Sequence, residues 1–215
     1  DNVKESTSRF MMIHASPNTP DMQFLIDDKP ILLQPLAYTA NINYRDILSG
    51  IRNLKVVISG NTIIDTNMNF EKGAIRSMFF YDEPLNIKML IVDDVLEAAT
   101  AGNCRIRFFQ MVPDATTLDL VNTVTNTTIF TNTNLGEYKD WILVPAGIFN
   151  WELRNSVNQI PIYTDWKPDT LQAGKNYTII SNGFQNTFTA DTIGVWILLL
   201  SRLDSKLNFS RAIKN

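Results

Sequence analysis

The chain has very little of the two residues that most often build catalytic and metal centres. Its 215 residues include one cysteine, Cys104, and one histidine, His14. A single cysteine excludes an internal disulfide, and a structural zinc site needs about four Cys or His ligands. Any Ser-His or Cys-His mechanism would have to pass through His14. We therefore predict no catalytic residue, no metal and no cofactor, with His14 structural and Cys104 a small buried apolar residue.

Basic runs and long apolar runs are also missing. The net charge is -3 and the Lys and Arg residues are scattered, which argues against nucleic acid as a partner and against a polybasic membrane patch. The longest apolar stretch, residues 193–200, is far shorter than the roughly 20 residues of a transmembrane helix. Residues 1–8 are polar and are typical of a flexible leader left after removal of a signal segment. A disordered end of a cytosolic domain is the alternative.

Alternation with a period of two dominates the rest of the chain. Met22, Phe24 and Ile26 share one face of a predicted strand, and residues 54–58 and 75–81 predict further strands. Gly, Asn and Asp separate these segments at turns. Because no segment keeps a helical period over three turns, we expect an all-β fold.

The second half of the chain repeats the first. Pro113 follows Pro17 by 96 residues, Gly147 follows Gly50 by 97, and Gly174 follows Gly73 by 101. We predict two tandem antiparallel β-sandwich (Ig-like) domains, placed end to end and monomeric. The predicted boundaries are a flexible leader at 1–8, a first copy at 9–97, a linker at 98–103 and a second copy at 104–215.

A proline-rich corner follows the first strand of each copy. In the first copy it contains His14, Pro17, Asn18 and Pro20, and in the second it contains Pro113 and Asp114. Proline fixes φ and cannot donate to a sheet, and Asn or Asp can bond to its own backbone two residues further on. We predict that the corner carries the chain from one sheet to the next, and we prefer this structural role to ligand binding.

These segments resemble domain-of-unknown-function family 4397. The resemblance rests on four motifs in order: residues 9–20 (RFMMIHASPNTP), 91–102 (IVDDVLEAATAG), 144–147 (VPAG) and 172–178 (QAGKNYT). It covers about residues 9 to 200, although the second copy has Gln110 in place of the histidine and Thr116 in place of the second proline. The resemblance implies exported bacterial proteins with tandem β-sandwich modules, often lipid-anchored, and it implies no established activity.

Aromatic and acidic residues supply the remaining candidates. Phe149, Trp151 and Leu153 alternate with polar residues and predict a core face, whereas Tyr138, Tyr163 and Trp166 are candidates for an exposed ligand-binding platform. Three acidic pairs, residues 27–28, 82–83 and 93–94, are interpreted as solvated turns. Asp169-Thr170-Leu171 and Asp191-Thr192-Ile193 also resemble the Asp-Ser/Thr-apolar sites of one bacterial O-glycosylation system.

The function expected from the sequence is therefore that of a binding or structural module without catalysis. We expect export to the cell surface or periplasm, with a lipid anchor to the outer membrane through a segment absent from this chain, and an unknown protein or glycan partner. Two alternatives stay open: a glycan-binding accessory protein using aromatics near Trp166, and a hydrolase with two carboxyl groups about 5–10 Å apart.

Overall fold

The computed structural model describes residues 6–165, 167–187 and 191–200, and all its regular elements in these ranges are β-strands. The first copy contains eight strands: β1 (Thr7–His14), β2 (Met22–Ile26), β3 (Lys29–Pro30), β4 (Asn41–Leu48), β5 (Gly50–Ile58), β6 (Asn61–Phe70), β7 (Ile75–Tyr81) and β8 (Lys88–Asp93). The second copy contains ten: β9 (Asn103–Gln110), β10 (Leu118–Asn122), β11 (Thr127–Thr133), β12 (Tyr138–Pro145), β13 (Gly147–Phe149), β14 (Trp151–Asn155), β15 (Pro161–Thr164), β16 (Asp169–Leu171), β17 (Asn176–Asn182) and β18 (Gly194–Leu200). None of the described elements is a helix that could cross a membrane.

The strands form four main sheets whose topology repeats. Sheet I has the order β3-β2-β5-β6, and sheet II has the order β4-β1-β7-β8. In the second copy, sheet III (β12-β9-β17-β18) matches sheet II, and sheet IV (β11-β10-β14-β15) matches sheet I. Most pairings are antiparallel, but β1–β7 and β9–β17 are parallel. The all-β class and the predicted β-sandwiches are confirmed, and the duplication appears as two identical strand orders.

Loop insertions explain the growing offset between the copies. Gly50 pairs with Phe70 in the first copy, and the equivalent pair in the second copy is Gly147 with Leu171. The offset is thus 97 at the first residue of each pair (147 minus 50) and 101 at the second (171 minus 70). The long strand β6 is matched by two short strands, β15 and β16. Surface loops accept such insertions because they bury little of the core.

Each sandwich encloses its own apolar core. Between sheets I and II, Phe10 and Met12 of β1 pack with Phe24 of β2 and Val56 of β5. Between sheets III and IV lies the equivalent cluster, which includes Ile106, Phe108 and Trp151. Phe149, Trp151 and Leu153 all lie in this second core, so the predicted core face is confirmed. The strands alternate as expected, because successive side chains point to opposite faces of a sheet.

The two sandwiches do not sit end to end, and that prediction is wrong. A third buried cluster joins the outer face of sheet II to the outer face of sheet III, and it includes Met11, Ile13, Phe79, Phe109 and Ile180. Phe79 of β7 stacks on Phe109 of β9, with ring centroids 4.1 Å apart and an angle of 19° between the ring planes. The molecule is therefore four layers in the order I, II, III, IV. Sheets II and III are covered on both faces.

The described strands also refine the predicted boundaries. Strand β1 begins at Thr7 and β9 begins at Asn103, so each copy starts one or two residues earlier than the sequence pattern predicts. Ser8, placed in the predicted leader, is fully buried. After β2 the chain forms only the two-residue strand β3 and then bends.

Candidate functional site

The inter-copy interface, defined as the buried contact between sheets II and III, contains a charged pair. Arg107 of β9 and Asp94, the residue after β8, bond through Nη2 and Oδ1 at 2.5 Å. Their side chains are 1% and 0% exposed. Asp94 belongs to the first copy and Arg107 to the second, so this ion pair connects the two halves of the molecule. Buried charges of this kind require partners, because moving a lone charge out of water is very costly.

Arg107 donates hydrogen bonds to groups of both copies. Its Nε donates to the Thr178 hydroxyl at 2.8 Å, and its Nη1 donates to the Asp93 carbonyl at 3.1 Å. The guanidinium also lies over the Trp141 ring at 4.4 Å and over the Phe109 ring at 5.0 Å from the ring centroids. A planar guanidinium can combine directed hydrogen bonds with stacking on aromatic faces in a way that lysine cannot. The site is therefore shaped for arginine.

Asp94 is satisfied on both carboxylate oxygens. Oδ1 accepts from Arg107, while Oδ2 accepts from the Tyr44 hydroxyl at 2.6 Å and from the Ser77 hydroxyl at 2.8 Å. Burial raises the pKa of Tyr44, and the negative charge of Asp94 raises it further. Tyr44 thus remains a hydroxyl donor over the whole range in which proteins fold. The result is a closed polar network inside an apolar interface.

The segment between the copies is held against the second sandwich. The Asn176 amide Nδ2 donates to the carbonyls of Val95 and Glu97, at 3.0 and 2.9 Å. Arg105 Nη1 also donates to the Glu97 carbonyl, and the Ala99 amide donates to the Gly174 carbonyl. The short predicted linker therefore does not act as a free hinge, because Ala99 within it and the Val95 and Glu97 carbonyls just before it are bonded to the second sandwich.

The two corners carry the chain from one sheet to the next, as predicted. In the first copy, the Ser16 amide donates to His14 Nδ1 at 3.4 Å, so the ring proton lies on Nε2, which donates to the Pro20 carbonyl at 3.2 Å. His14 is fully buried, and this burial lowers the pKa of His14 below 6.5, although the Pro20 carbonyl and the Asp21 carboxylate act in the opposite direction. The neutral ring is therefore the form that fits this corner.

Gln110 reproduces both histidine bonds in the second copy. Its Oε1 accepts from the Val112 amide, and its Nε2 lies 3.5 Å from the Thr116 carbonyl and 3.3 Å from the Val112 carbonyl. Val112 and Thr116 lie two and six residues after Gln110, as Ser16 and Pro20 do after His14. The difference between the two corner sequences thus preserves one hydrogen-bond pattern.

The predicted Asx turns are wrong. The Asp114 carboxylate instead accepts from the backbone amides of Gln185 and Asn186, at 2.7 and 3.0 Å. Asn18 adopts a left-handed φ of 54°, and its amide donates to the Asp191 carboxylate at 3.2 Å. The loop between β17 and β18 therefore touches both corners. The Pro17 and Pro113 corners end up at the same end of the molecule.

The aromatic candidates do not gather on one surface. Tyr138 is 41% exposed and stacks on Phe109, with centroids 5.1 Å apart, on the inter-copy face of sheet III. Tyr163 packs against the core between sheets III and IV, and its burial raises its pKa. Trp166 lies outside the described residues. The structure therefore places Tyr138 and Tyr163 on opposite sides of sheet III.

The acidic pairs behave differently from one another. Asp27 and Asp28 form a surface turn, with ion pairs to Arg52 and Lys55. Asp82 is buried, and its carboxylate accepts from the Glu83 amide and the Asn86 amide group, both at 2.8 Å. The solvated-turn interpretation therefore holds for residues 27–28 but is wrong for Asp82 and Asp94. Within the described ranges, no group of three or more His, Cys, Asp and Glu side chains could hold a metal ion.

Cys104 lies in the core of the second sandwich, where it is fully buried with a free thiol. Burial raises the pKa of this thiol, which favours the protonated and unreactive form. Its neighbours in the core are apolar, including Ile106 and Tyr177. Cys104 therefore packs as a small apolar side chain, as the sequence analysis predicts.

Sequence reasoning missed Arg107 and Asp94 as an interacting pair. Arg107 has no role in the sequence-based predictions, and Asp94 is interpreted there as part of a solvated turn. A signal was nevertheless present, because the runs at residues 10–13 and 106–109 have large side chains on both faces of their strands. Strands covered on both faces lie in the interior, and a charge among them needs a buried partner.

A comparison with protein families shows which family model the chain matches. The family described as "Domain of unknown function (DUF4397)" matches residues 8–121, which is more than half of the chain's 215 residues. The match begins at the second residue of β1, covers the rest of the first copy and continues through β9 into β10 of the second. A search of the curated proteins gives no significant match. The chain belongs to domain-of-unknown-function family 4397.

Proposed function

We propose that this chain is a non-catalytic, exported β-sandwich unit at the cell surface or in the periplasm, where it serves as a rigid binding or structural module. The observation that carries the rigid-module part of the proposal is the inter-copy interface, whereas the exported location rests on the family resemblance. The Arg107–Asp94 pair and the Phe79–Phe109 stack fasten two sandwiches into one block. A module that holds a fixed distance or presents a fixed surface needs this kind of internal docking, because loosely linked domains move relative to each other.

The bonded segment between the copies supports the same proposal. Asn176 and Arg105 fix the backbone near Glu97, so relative motion of the sandwiches would break hydrogen bonds as well as expose apolar surface. This segment loses its conformational entropy when the chain folds, before any partner binds. A partner that binds across both copies would then lose little further conformational freedom, which favours affinity.

Two measurements test the proposal. An antibody against the chain should detect it in the envelope fraction of the native cells, and external or periplasmic protease should shorten it while a cytosolic marker stays intact. Recovery of the protein with the cytosolic marker would overturn the exported location. Independently, tryptophan fluorescence and far-ultraviolet circular dichroism should report one coincident urea transition. Two separated transitions would contradict a rigid unit.

Glycan binding is a second candidate function because Tyr138 has a partly exposed ring that packs on a buried aromatic residue. The ring stacks on Phe109, which is fully buried, so the tyrosine is held in place without being covered. Sugar rings stack on aromatic faces of this kind. A glycan array should show binding that Tyr138→Ala weakens, with Tyr163→Ala and Trp166→Ala as separate variants. An array with no binding to the wild-type chain would remove this candidate.

A further inference from the structure

The inter-copy interface is built from equivalent residues, except at the charged pair. Strands β1 and β9 match with an offset of 96 (105 minus 9 at the start of their parallel pairings), which makes Met11 the equivalent of Arg107. On the edge strands, Asp94 bonds through its amide to the Ile75 carbonyl, and Leu200 pairs with Asn176. Ile75 and Asn176 are themselves equivalent, so Leu200 is the equivalent of Asp94.

The chain therefore has a charge on each copy where the other copy has an apolar side chain. Met11 and Leu200 are both buried in the same inter-copy cluster that surrounds the ion pair. Other equivalent positions keep a similar character on the two sides. Ser77 and Thr178 are both hydroxyl residues, and Tyr44 and Trp141 are both large aromatics, by the offsets of 101 and 97.

We infer that the Arg107–Asp94 pair is a pairing code. Because of this pair, the outer face of sheet II docks on the outer face of a sheet III and not on the outer face of another sheet II, and the outer face of sheet III is selective in the same way. If sheet II docked on the sheet II of a second chain in the same geometry, each Asp94 would face Met11. If sheet III docked on a second sheet III, each Arg107 would face Leu200. Both arrangements bury charges with no counter-charge, and only the mixed arrangement pairs them.

This selectivity has a clear physical need. The two faces are large, apolar and closely related, so apolar contact alone distinguishes poorly between the right and the wrong partner. During folding, each face is exposed before docking and could meet the same face of another chain. A buried unpaired charge penalises the wrong encounter far more than a lost apolar contact does. The partner that the interface selects is thus the opposite copy of this family's module.

Transposing the charges in the full-length chain tests the code. Met11→Arg with Arg107→Met keeps the composition constant but places both charges on the first copy, where each of them faces an apolar side chain of the second copy. The urea midpoint should fall sharply, with a loss of at least about tenfold in the folding equilibrium constant. Adding Asp94→Leu and Leu200→Asp moves the whole pair to the other side, and this four-residue variant should recover most of the loss. A four-residue variant no more stable than the two-residue one would overturn the inference.

A refolding experiment measures the selectivity itself. The variant Asp94→Leu with Arg107→Met makes the two faces alike, and it should refold at high concentration with dimers and larger species raised by about tenfold over the wild type. Light scattering after size-exclusion chromatography gives the fractions. Arg76→Met, which removes a surface ion pair of the same strand layer, should behave as the wild type does. Equal dimer fractions in the wild type and the charge-free variant would contradict the pairing code.

Discussion

The first and second copies share one strand order but make their local contacts at equivalent positions with different side chains. His14 and Gln110 make the same pair of bonds at the corner. Thr39 and Gly136 both donate their amides to the carbonyl of that corner residue, at 3.0 and 2.9 Å. Met11 and Arg107 occupy the same position at the interface. The comparison shows that the two copies keep one sheet geometry, whereas the side chains at equivalent positions differ. At the corner the difference preserves the hydrogen bonds, and at the interface it changes the charge.

The charged pair is where the copies differ most, so its disruption should have the largest effect. Arg107→Met leaves the Asp94 carboxylate buried with two hydroxyl donors and no counter-charge. We expect the free energy of unfolding to fall by about 3–5 kcal/mol. Urea unfolding followed by tryptophan fluorescence measures this loss. The change also gives the second copy the methionine that the first copy has at the equivalent position, Met11. It therefore tests whether the stability of the chain requires an arginine in the second copy.

A surface arginine provides the matched control. Arg76 pairs with Asp93 and Glu71, whose carboxylate side chains are largely exposed. Arg76→Met should therefore cost no more than about 1 kcal/mol. The double variant Asp94→Leu with Arg107→Met should regain most of the stability that either single change loses. If Arg107→Met cost no more than Arg76→Met, the buried pair would not be holding the two sandwiches together.

The next effect concerns Gly136, where the second copy needs glycine and the first copy has Thr39. A Cβ on Gly136 would overlap the Tyr81 hydroxyl oxygen of the first copy, and the φ of 74° is left-handed. Gly136→Ala should cost about 1–2 kcal/mol for the backbone conformation, and about 1 kcal/mol more because the Tyr81 ring must move. Thermal or urea unfolding gives the total.

Gly73 separates these two contributions. Its φ is 75°, but nothing lies within 4 Å of the Cβ position, so Gly73→Ala should show the backbone cost alone. Combining Gly136→Ala with Tyr81→Ser should remove the steric part. An equal cost for Gly73→Ala and Gly136→Ala would mean that the Tyr81 contact is not tight.

Local sequence patterns predict most of the fold because short segments of sequence determine where β-strands and turns form. Alternation located β2 and β7 at their observed bounds, residues 22–26 and 75–81. The repeated corner revealed the duplication, since prolines at matching positions require matching bends. The buried aromatic set around Trp151 also followed from alternation. These features depend on neighbours in the chain, which a sequence displays directly.

The inter-copy interface could not be read in the same way. A short linker keeps two domains close together without specifying which faces meet, so the sequence predicts end-to-end packing where the structure has stacked sheets. Asp94 follows Asp93 in the sequence. Only the fold shows that Asp93 is solvent-exposed and pairs with Arg76 on the surface, whereas Asp94 is buried. The pairing of residues 94 and 107 depends on how two sheets stack. That arrangement follows from tertiary packing and not from periodicity along either strand.

The smallest effect is expected where the copies agree in geometry despite different residues. His14→Gln places the second copy's corner residue in the first copy, so it should change the free energy of unfolding at pH 8 by less than about 1 kcal/mol. Burial lowers the pKa of His14 below 6.5 in the folded chain. As the pH falls below 6.5, the unfolded chain therefore takes up a proton before the folded chain does, and the wild type loses stability.

The glutamine variant lacks this proton uptake. The difference in unfolding free energy between His14→Gln and the wild type should shift in favour of the variant by up to about 1.4 kcal/mol per pH unit below 6.5, until the folded His14 titrates. Comparing the two chains at each pH cancels the carboxylates that both contain. His14→Ala serves as the control, because it loses both corner bonds and should be less stable than the wild type at pH 8. A pH-independent difference between wild type and His14→Gln would show that the corner tolerates a charged ring, and the agreement between the two corners would then be one of shape alone.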